Sequence, residues 1–389
     1  MKLYKISITL CFCISVFTAT AQKYLTSEIN SVYTAVPFMT IAPDSRSAAM
    51  GDVGAATSPD VNSLHWNAAK YAFAKNNECL SLSYSPWLNK LVNDMKLLYL
   101  TGYKRLDEYQ VIAASLRFFN LGSIEFRDDH GGYMDTRSPN EFAIDAAYTR
   151  MFSDNISAGL AFRYIRSDIS AGMSNSAMKA KAGNAFAADI SMYYHNDFEI
   201  IEQNCNWALG MNISNIGNKM SYSNEQQKSF LPINLRIGGS LGFELDKYNK
   251  MSFALDFNKL LVPTPPIFIK DDITGELRMV GEPSDVGVVK GIFQSFSDAP
   301  GGFTEEMREI SYGMGLEYLY REIFAIRTGL FQEHRTKGNR RYFTIGFGFN
   351  LSMIGIDFSY LVANQNHPLN NTLRFTLIFN FGKQLQKNS

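Results

Sequence analysis

The chain has 389 residues and a formal net charge of zero, with 37 basic and 37 acidic side chains. That balance excludes the strongly basic surface typical of nucleic-acid-binding proteins. Aromatic residues reach 13% and charged residues only 19%, and beyond the first residues no apolar run approaches the roughly 18 residues of a membrane-spanning helix. A chain of this composition can still enter a membrane as a closed β-barrel.

The first predicted element is a secretory signal peptide at residues 1–21. It has a basic start with two lysines, an apolar core over residues 6–17 and a small-residue cleavage site at residues 19–21. A core of about 12 apolar residues is too short to cross a bilayer, which favours a cleaved signal over a membrane anchor. The sequence therefore predicts an exported protein that begins at Gln22.

Residues 22–79 are predicted to form an N-terminal arm that begins on the periplasmic side and continues as a plug in a barrel lumen. Residues 47–59 are mostly small and polar and lack the alternation of a strand. A barrel of about 14 strands is too wide for its wall side chains to fill, so a small-residue segment suits its interior. The residues expected to form turns, caps and wall contacts of this plug are Gly51, Asp52, Gly54, Asp60, His65, Trp66 and Asn67. An ordinary periplasmic arm is the alternative.

Residues 80–389 are predicted to form a transmembrane antiparallel β-barrel of about 14 strands, an all-β fold. Apolar and polar residues alternate with period two: near the C-terminus, Phe375 and Phe379 share one face, while Arg374 and Thr376 share the other. A soluble β-sandwich would also alternate. The Phe- and Leu-rich faces on almost every strand favour a lipid-facing surface, and the Gly-, Ala- and Ser-rich faces favour a packed lumen.

The predicted connections alternate between short turns and long loops, which is typical of outer-membrane barrels with short periplasmic turns. The longest connection, residues 259–308, is predicted to be extracellular, and a connection of this length is usually functional or disordered. Apolar residues stiffened by prolines lose less entropy on binding, which suits a partner-binding loop. The residues expected to bind a partner are Pro263, Pro265, Pro266, Phe268, Phe293, Phe296 and Phe303. The alternative is a loop that folds over the barrel mouth and packs on itself.

No catalytic residue, metal ion or cofactor is expected. Residues 238–242 match the G-x-S-x-G pattern, but they lie inside a predicted strand with Ser240 toward the lumen. A nucleophile elbow needs a strand, a turn and a helix at that point. The five histidines are scattered without the spacing of a metal site. Cys79 and Cys205 begin distant strands, so no disulfide is expected between them.

The stretch SRSAAMGDVGAATSPDVNSLHWNAAKYAF, residues 45–73, resembles the amino-terminal signature of the FadL-type outer-membrane barrels. In that signature an A-x-x-x-G-x-x-G stretch leads to a W-N-P-A motif. The longer form S-P-D-x-N-S-x-H-W-N-x-x-K-Y-A-F is more similar still to the PorV family, also called LptO, of the type IX secretion system of Bacteroidota. Ala68 stands where the family usually has proline.

The resemblance implies a location in the bacterial outer membrane and a non-enzymatic role in protein secretion. It implies binding of the C-terminal signal domains of translocated cargo, and their delivery from a large translocon channel to sortase-like attachment proteins. Outer-membrane lipid is a further expected partner. A FadL-like transporter of hydrophobic small molecules is the main alternative. A lipopolysaccharide deacylase, which the second family name suggests, is less favoured because no outward Ser–His pair is apparent.

Overall fold

The computed structural model describes residues 29–88, 92, 94–128, 130–169, 181–200, 203–222, 228–270, 276–364 and 367–381. The predicted signal peptide lies outside the described residues. Among these ranges, no helix combines the length and the apolar character that crossing a membrane would require.

Fourteen antiparallel strands close into a barrel, because the first strand pairs with both the second and the last. The barrel strands are β1 (Glu78–Pro86), β2 (Lys96–Arg105), β3 (Gln110–Asn120), β6 (Asn140–Met151), β7 (Ile156–Asp168), β8 (Gly183–Ile200), β9 (Gln203–Gly217), β10 (Asn234–Glu244), β11 (Asn249–Leu260), β14 (Ser311–Tyr320), β15 (Phe324–Gln332), β16 (Arg341–Leu351), β17 (Ile354–Ala363) and β18 (Thr372–Phe381). The described residues also form two hairpins outside the barrel, β4 (Ile124–Arg127) with β5 (Tyr133–Arg137) and β12 (Ile267–Lys270) with β13 (Leu277–Val280). The prediction of an all-β barrel with about 14 strands is confirmed.

The barrel is apolar outside and polar inside, the reverse of a soluble protein. On β7 the outward side chains of Leu160 and Phe162 are 49% and 68% exposed, whereas Ser157 and Arg163 on the opposite face are buried. A soluble sandwich would bury these apolar side chains in its core. The outward face therefore matches the apolar band of an outer-membrane barrel.

The connections between strands differ in length at the two ends of the barrel. At one end they are turns such as residues 106–109 and 245–248, and at the other they include residues 121–139 and 261–310. Short turns mark the periplasmic end of outer-membrane barrels and long loops the extracellular end.

One connection differs from the prediction. Residues 197–204 were expected to form a connection of middling length, but Asp197 pairs with Asn206 and Phe198 with Cys205, so the hairpin of β8 and β9 continues through them. The polar and apolar residues of this stretch continue to alternate, with Phe198 and Ile200 on one face, so the period of β8 was the available signal for the longer pairing.

Residues 44–74, here called the inner segment, lie inside the barrel. The segment consists of α1 (Ser45–Ala48), α2 (Ser63–Trp66), a 3-10 helix (Ala68–Phe73) and tight turns between them. Its hydrogen bonds reach widely separated strands, including Ser45 N to Thr376 on β18, Gly54 N to Asp256 on β11, and Thr149 on β6 to Ala68 O. Wall glycines make room for it: a Cβ atom at Gly210 would lie 1.9 Å from Ala55 O.

Residues 29–40, here called the strap, lie at the long-loop end of the barrel. Asn30 N donates to Thr336 O at 3.1 Å, and Asn30 Nδ2 donates to Pro265 O at 3.1 Å. The expectation that the arm begins on the periplasmic side is therefore wrong for these residues. The physical reason is burial of apolar side chains, since Phe38 packs in one cluster with Leu97 and Phe119 at the long-loop ends of β2 and β3.

The longest connection has secondary structure of its own. After β11 come the hairpin of β12 and β13, α3 (Val288–Gln294) and α4 (Phe303–Arg308), followed by β14. Residues 271–275 of this connection lie outside the described residues. It is called the loop domain below, residues 261–310.

Candidate functional site

Gly51 and Asp52 form a tight turn where the inner segment touches the barrel wall. Both residues have left-handed backbone, with φ of 70° and 58°. A Cβ atom at Gly51 would lie 2.5 Å from Leu330 O, so only glycine fits this approach. Aspartate is one of the few other residues that tolerate this conformation. The turn directs Asp52 Oδ2 toward the Tyr342 hydroxyl, which donates to it.

Trp66 is the centre of the inner segment and is 1% exposed. Its indole N–H donates to Asp44 Oδ1 at 2.6 Å, and Asp44 Oδ2 accepts from Ser47 N as the N-cap of α1. A Cβ atom at Gly54 would lie 2.4 Å from the indole ring. The partner of the indole N–H, Asp44, therefore belongs to the inner segment itself, while the indole ring contacts the wall through Arg236 of β10.

The other polar residues of the motif hold turns and wall contacts. Asn67 Nδ2 donates to Ala55 O at 2.8 Å and to Met192 O of β8 at 2.9 Å, which ties the segment to the wall. Asp60 pairs with Arg46 at 2.8 Å. His65 Nδ1 lies 2.7 Å from the Arg117 guanidinium of β3. The seven motif residues therefore all lie in the inner segment, in structural contacts.

Buried ion pairs connect the strands inside the lumen. Arg163 of β7 lies between Asp145 of β6 and Asp189 of β8, and Arg46 of the inner segment pairs with Glu317 of β14 at 2.9 Å. Such charges need close partners, since an unpaired charge in a partly dry interior is costly. These ion pairs were not predicted from the sequence. Charged residues at inward positions of neighbouring strands could have indicated them.

A cavity of about 320 Å³ lies in the lumen at the long-loop end. The strap forms its roof, and Asp52, His65 and Trp66 of the inner segment form its floor. Its walls carry mainly polar and charged side chains, among them Arg236 of β10 and Asn258 of β11.

The loop domain is packed at its base and carries exposed aromatic side chains on its outside. Pro263 is buried, Pro265 and Pro266 are half-buried, and the neighbouring Leu261 and Val262 form a cluster with Phe230. The predicted partner-binding phenylalanines remain accessible: Phe293 and Phe303 are 73% and 79% exposed, and Phe268 and Phe296 are also exposed. The loop domain thus combines the two alternatives, self-packing at the base and an accessible aromatic surface.

An ionic network fastens this base to the barrel. Lys259 of β11 pairs with Glu306 and Glu309 at 3.0 and 2.6 Å, and Lys337 pairs with Glu309 at 3.0 Å and with Glu305. Burial alone would raise the pKa of Glu309, but the two lysines hold it below its ordinary value. The network fixes α4 and keeps the loop domain in one orientation.

The described residues contain no group of histidine, cysteine and acidic side chains that could hold a metal ion. Ser240 lies within β10, and its hydroxyl donates to Ala56 O at 2.7 Å. This is the geometry of a wall contact and not of a nucleophile elbow. Cys79 and Cys205 are buried free thiols.

The chain is similar to one protein family and to several solved structures. The model of the family described as "Type IX secretion system protein PorV" matches residues 24–267. Similar solved structures include the Ralstonia pickettii toluene transporter TbuX (10% identity, 87% of this chain and 98% of that chain, TM-score 0.45) and the Pseudomonas putida toluene transporter TodX (10%, 88% and 99%, TM-score 0.47). A Pseudomonas aeruginosa FadL homologue gives 9% identity, 90% and 99% coverage and a TM-score of 0.41. No curated protein matches the sequence.

Proposed function

The chain belongs to the PorV family of type IX secretion system proteins, and from this membership we propose that it is a non-enzymatic cargo-handling component of that system. It binds the C-terminal signal domains of translocated cargo at the outer membrane. It then delivers them from the large translocon channel to the sortase-like attachment proteins. Outer-membrane lipid surrounds the barrel wall.

The observation that carries the proposal is the accessible aromatic surface of the loop domain. Phe293 and Phe303 belong to the short helices α3 and α4 at the extracellular end, Phe296 lies in the turn that follows α3, and all three are exposed. Large exposed apolar side chains on an ordered element favour a protein-binding site, and aromatic residues including phenylalanine are enriched at protein interfaces. Because the ionic network already orders the base, little further entropy is lost when a partner docks.

Transport of hydrophobic small molecules through the lumen has weaker support. The inner segment contacts strands around the barrel, and most of the residues that line the lumen cavity are polar or charged. An apolar ligand would need an apolar site. We also propose no deacylase activity, because the hydroxyl of Ser240 is committed to Ala56 O.

The test is complementation of a deletion strain with a variant in which Phe293, Phe296 and Phe303 are replaced by serine. We expect cargo to remain in the periplasm or unattached, and the translocon channel no longer to co-purify in mild detergent. In the matched control, serine replaces Tyr133 and Met134, which are exposed on a different long connection. The strain that carries this control should display cargo normally. Folding of both variants is checked by their mobility on gels with and without boiling. Normal cargo display by the serine variant would contradict the assigned surface, and normal display by the deletion strain would contradict the function.

A further inference from the structure

The lumen cavity beneath the strap contains charges whose partners can be followed individually. Three of its basic lining residues are neutralised. Arg163 pairs with Asp145 and Asp189, Lys337 pairs with Glu305 and Glu309, and Arg340 pairs with Glu333 at 3.0 Å. The two glutamates that line the cavity, Glu309 and Glu333, are therefore neutralised by Lys337 and Arg340.

Arg236 is different. Its guanidinium makes no hydrogen bond or ion pair with any residue in the described part of the chain, and it lies 4.3 Å over the ring of Trp66. Asp256 on the neighbouring strand lies near enough for its charge to act on Arg236, but it makes no hydrogen bond to the guanidinium, and its Oδ2 accepts the backbone N–H groups of Gly54 and Ala55. An unpaired guanidinium inside a protein is costly, and its planar fork fits a carboxylate.

Asp52 carries the complementary charge. Its Oδ2 accepts from the Tyr342 hydroxyl, but its Oδ1 has no hydrogen-bond partner within the described ranges, and the carboxylate makes no ion pair there. Arg236 and Asp52 both line the cavity. Their charges act on one another at a distance, but they form no hydrogen bond or close ion pair. The cavity therefore presents one cation and one carboxylate, each without a hydrogen-bonded ion-pair partner among the described residues.

His65 adds a donor beside Arg236. Its ring packs edge-on against Trp66 at 4.6 Å between centroids, and its Nδ1 faces the Arg117 guanidinium at 2.7 Å. A guanidinium can only donate, so Nδ1 accepts and the ring hydrogen lies on Nε2. That Nε2 has no partner among the residues described. Both groups that contact Trp66 can thus donate to an anion.

We propose that this cavity binds a small zwitterion, an α-amino acid or a dipeptide, with its carboxylate at Arg236 and its ammonium group at Asp52. The volume of about 320 Å³ is at the small end of ligand sites, which excludes drug-sized molecules. The site is distinct from the aromatic surface of the loop domain, so it goes beyond the proposed secretion function. If either the zwitterion proposal or the secretion proposal fails its test, the other is unaffected.

The test is titration calorimetry on the full-length protein in detergent, with L-alanine, L-alanyl-L-alanine and acetate as probes. We expect the alanine or the dipeptide to bind. Arg236→Gln should weaken zwitterion and acetate binding about tenfold or more, the scale of a lost hydrogen bond to a charged group. Asp52→Asn should weaken binding of the zwitterion by a similar factor, but it should leave the affinity for acetate unchanged or higher. Asparagine keeps the left-handed backbone possible at this position.

Arg321→Gln is the matched control, because this arginine lies in a short turn at the other end of the barrel. It should bind all probes like the wild type. Unboiled gel mobility confirms that each variant is folded, and Arg236→Lys, which keeps the charge, replaces the glutamine variant if that one fails to fold. Absence of heat with both zwitterions up to about 10 mM, or equal affinity in the wild type and a folded Arg236 variant, would overturn the proposal.

Discussion

The carboxylate of Asp44 joins two parts of the inner segment, since it accepts the indole N–H of Trp66 at 2.6 Å and the backbone N–H of Ser47 at 2.9 Å. Both donors are buried inside the barrel. One aspartate therefore fixes the start of α1 and the orientation of the tryptophan that forms the floor of the lumen cavity.

Replacing Trp66 with phenylalanine removes the indole N–H and leaves Asp44 Oδ1 without its donor. A buried polar group without its partner costs about 1–3 kcal/mol, so we expect the folded barrel to lose about that free energy in urea unfolding in detergent. Trp207→Phe is the control, because the Trp207 indole N–H bonds to none of the described residues. Equal effects of the two replacements would show that ring volume matters and the hydrogen bond does not.

Gly210→Ala should destabilise the packing of the inner segment against the wall. The new methyl group would lie 1.9 Å from Ala55 O, and overpacking of this kind costs about 1–3 kcal/mol. Gly239→Ala on the adjacent strand is the matched control, because its nearest neighbour would be at an ordinary 3.5 Å. The measurement is the temperature at which the compact band disappears on unboiled gels. A Gly210 variant as heat-resistant as the control would be inconsistent with this close approach.

Lys337→Met should loosen the loop domain from the barrel. Removing one partner of a buried ion pair costs about 3–5 kcal/mol, and here it leaves Glu305 without its cation. We expect faster hydrogen exchange in α4. The exposed pair of Lys104 and Glu78, which is 61% and 45% exposed, is the control, since Lys104→Gln should change stability by less than about 1 kcal/mol. Unchanged exchange in the Lys337 variant would argue against an anchoring role.

Asp298 gives the loop domain a pH dependence. Burial, with a further contribution from Glu306, raises the pKa of Asp298 from 3.8 to about 6. The folded loop domain therefore holds this proton more tightly than the unfolded chain does. The stabilisation is complete below about pH 4 and is lost as the pH rises through about 6.

We expect hydrogen exchange in α3, corrected for the intrinsic rate, to slow between pH 7 and pH 5, and Asp298→Asn to abolish that difference. Glu309 acts in the opposite direction, but only below its ordinary pKa of 4.5, outside this range. A pH response that persists in the asparagine variant would assign the effect to another group.

Much of the barrel follows from local patterns. Strand positions near Ile156, Ile354 and Thr372 were predicted within two residues, because alternation between lipid and lumen is repeated at every second residue. The extension of β8 to Ile200 was not predicted, although Phe198 and Ile200 continue the alternation of the strand. In the inner segment, the glycine of the turn at Gly51 was identified, but its contact with Leu330 was not.

The sequence by itself determined the number of strands, the face each strand turns to lipid and the loops that carry exposed aromatics. Each of these depends on the pattern of residues close together in the chain and on the contact of one strand face with apolar lipid. Only the tertiary structure decided which charges meet. Asn30 hydrogen-bonds to Thr336, Asp44 accepts the indole N–H of Trp66, and Arg236 forms no hydrogen-bonded ion pair within the described part of the chain. Such pairings join residues far apart in the chain, and the closure of the barrel around its own N-terminal segment sets their distances.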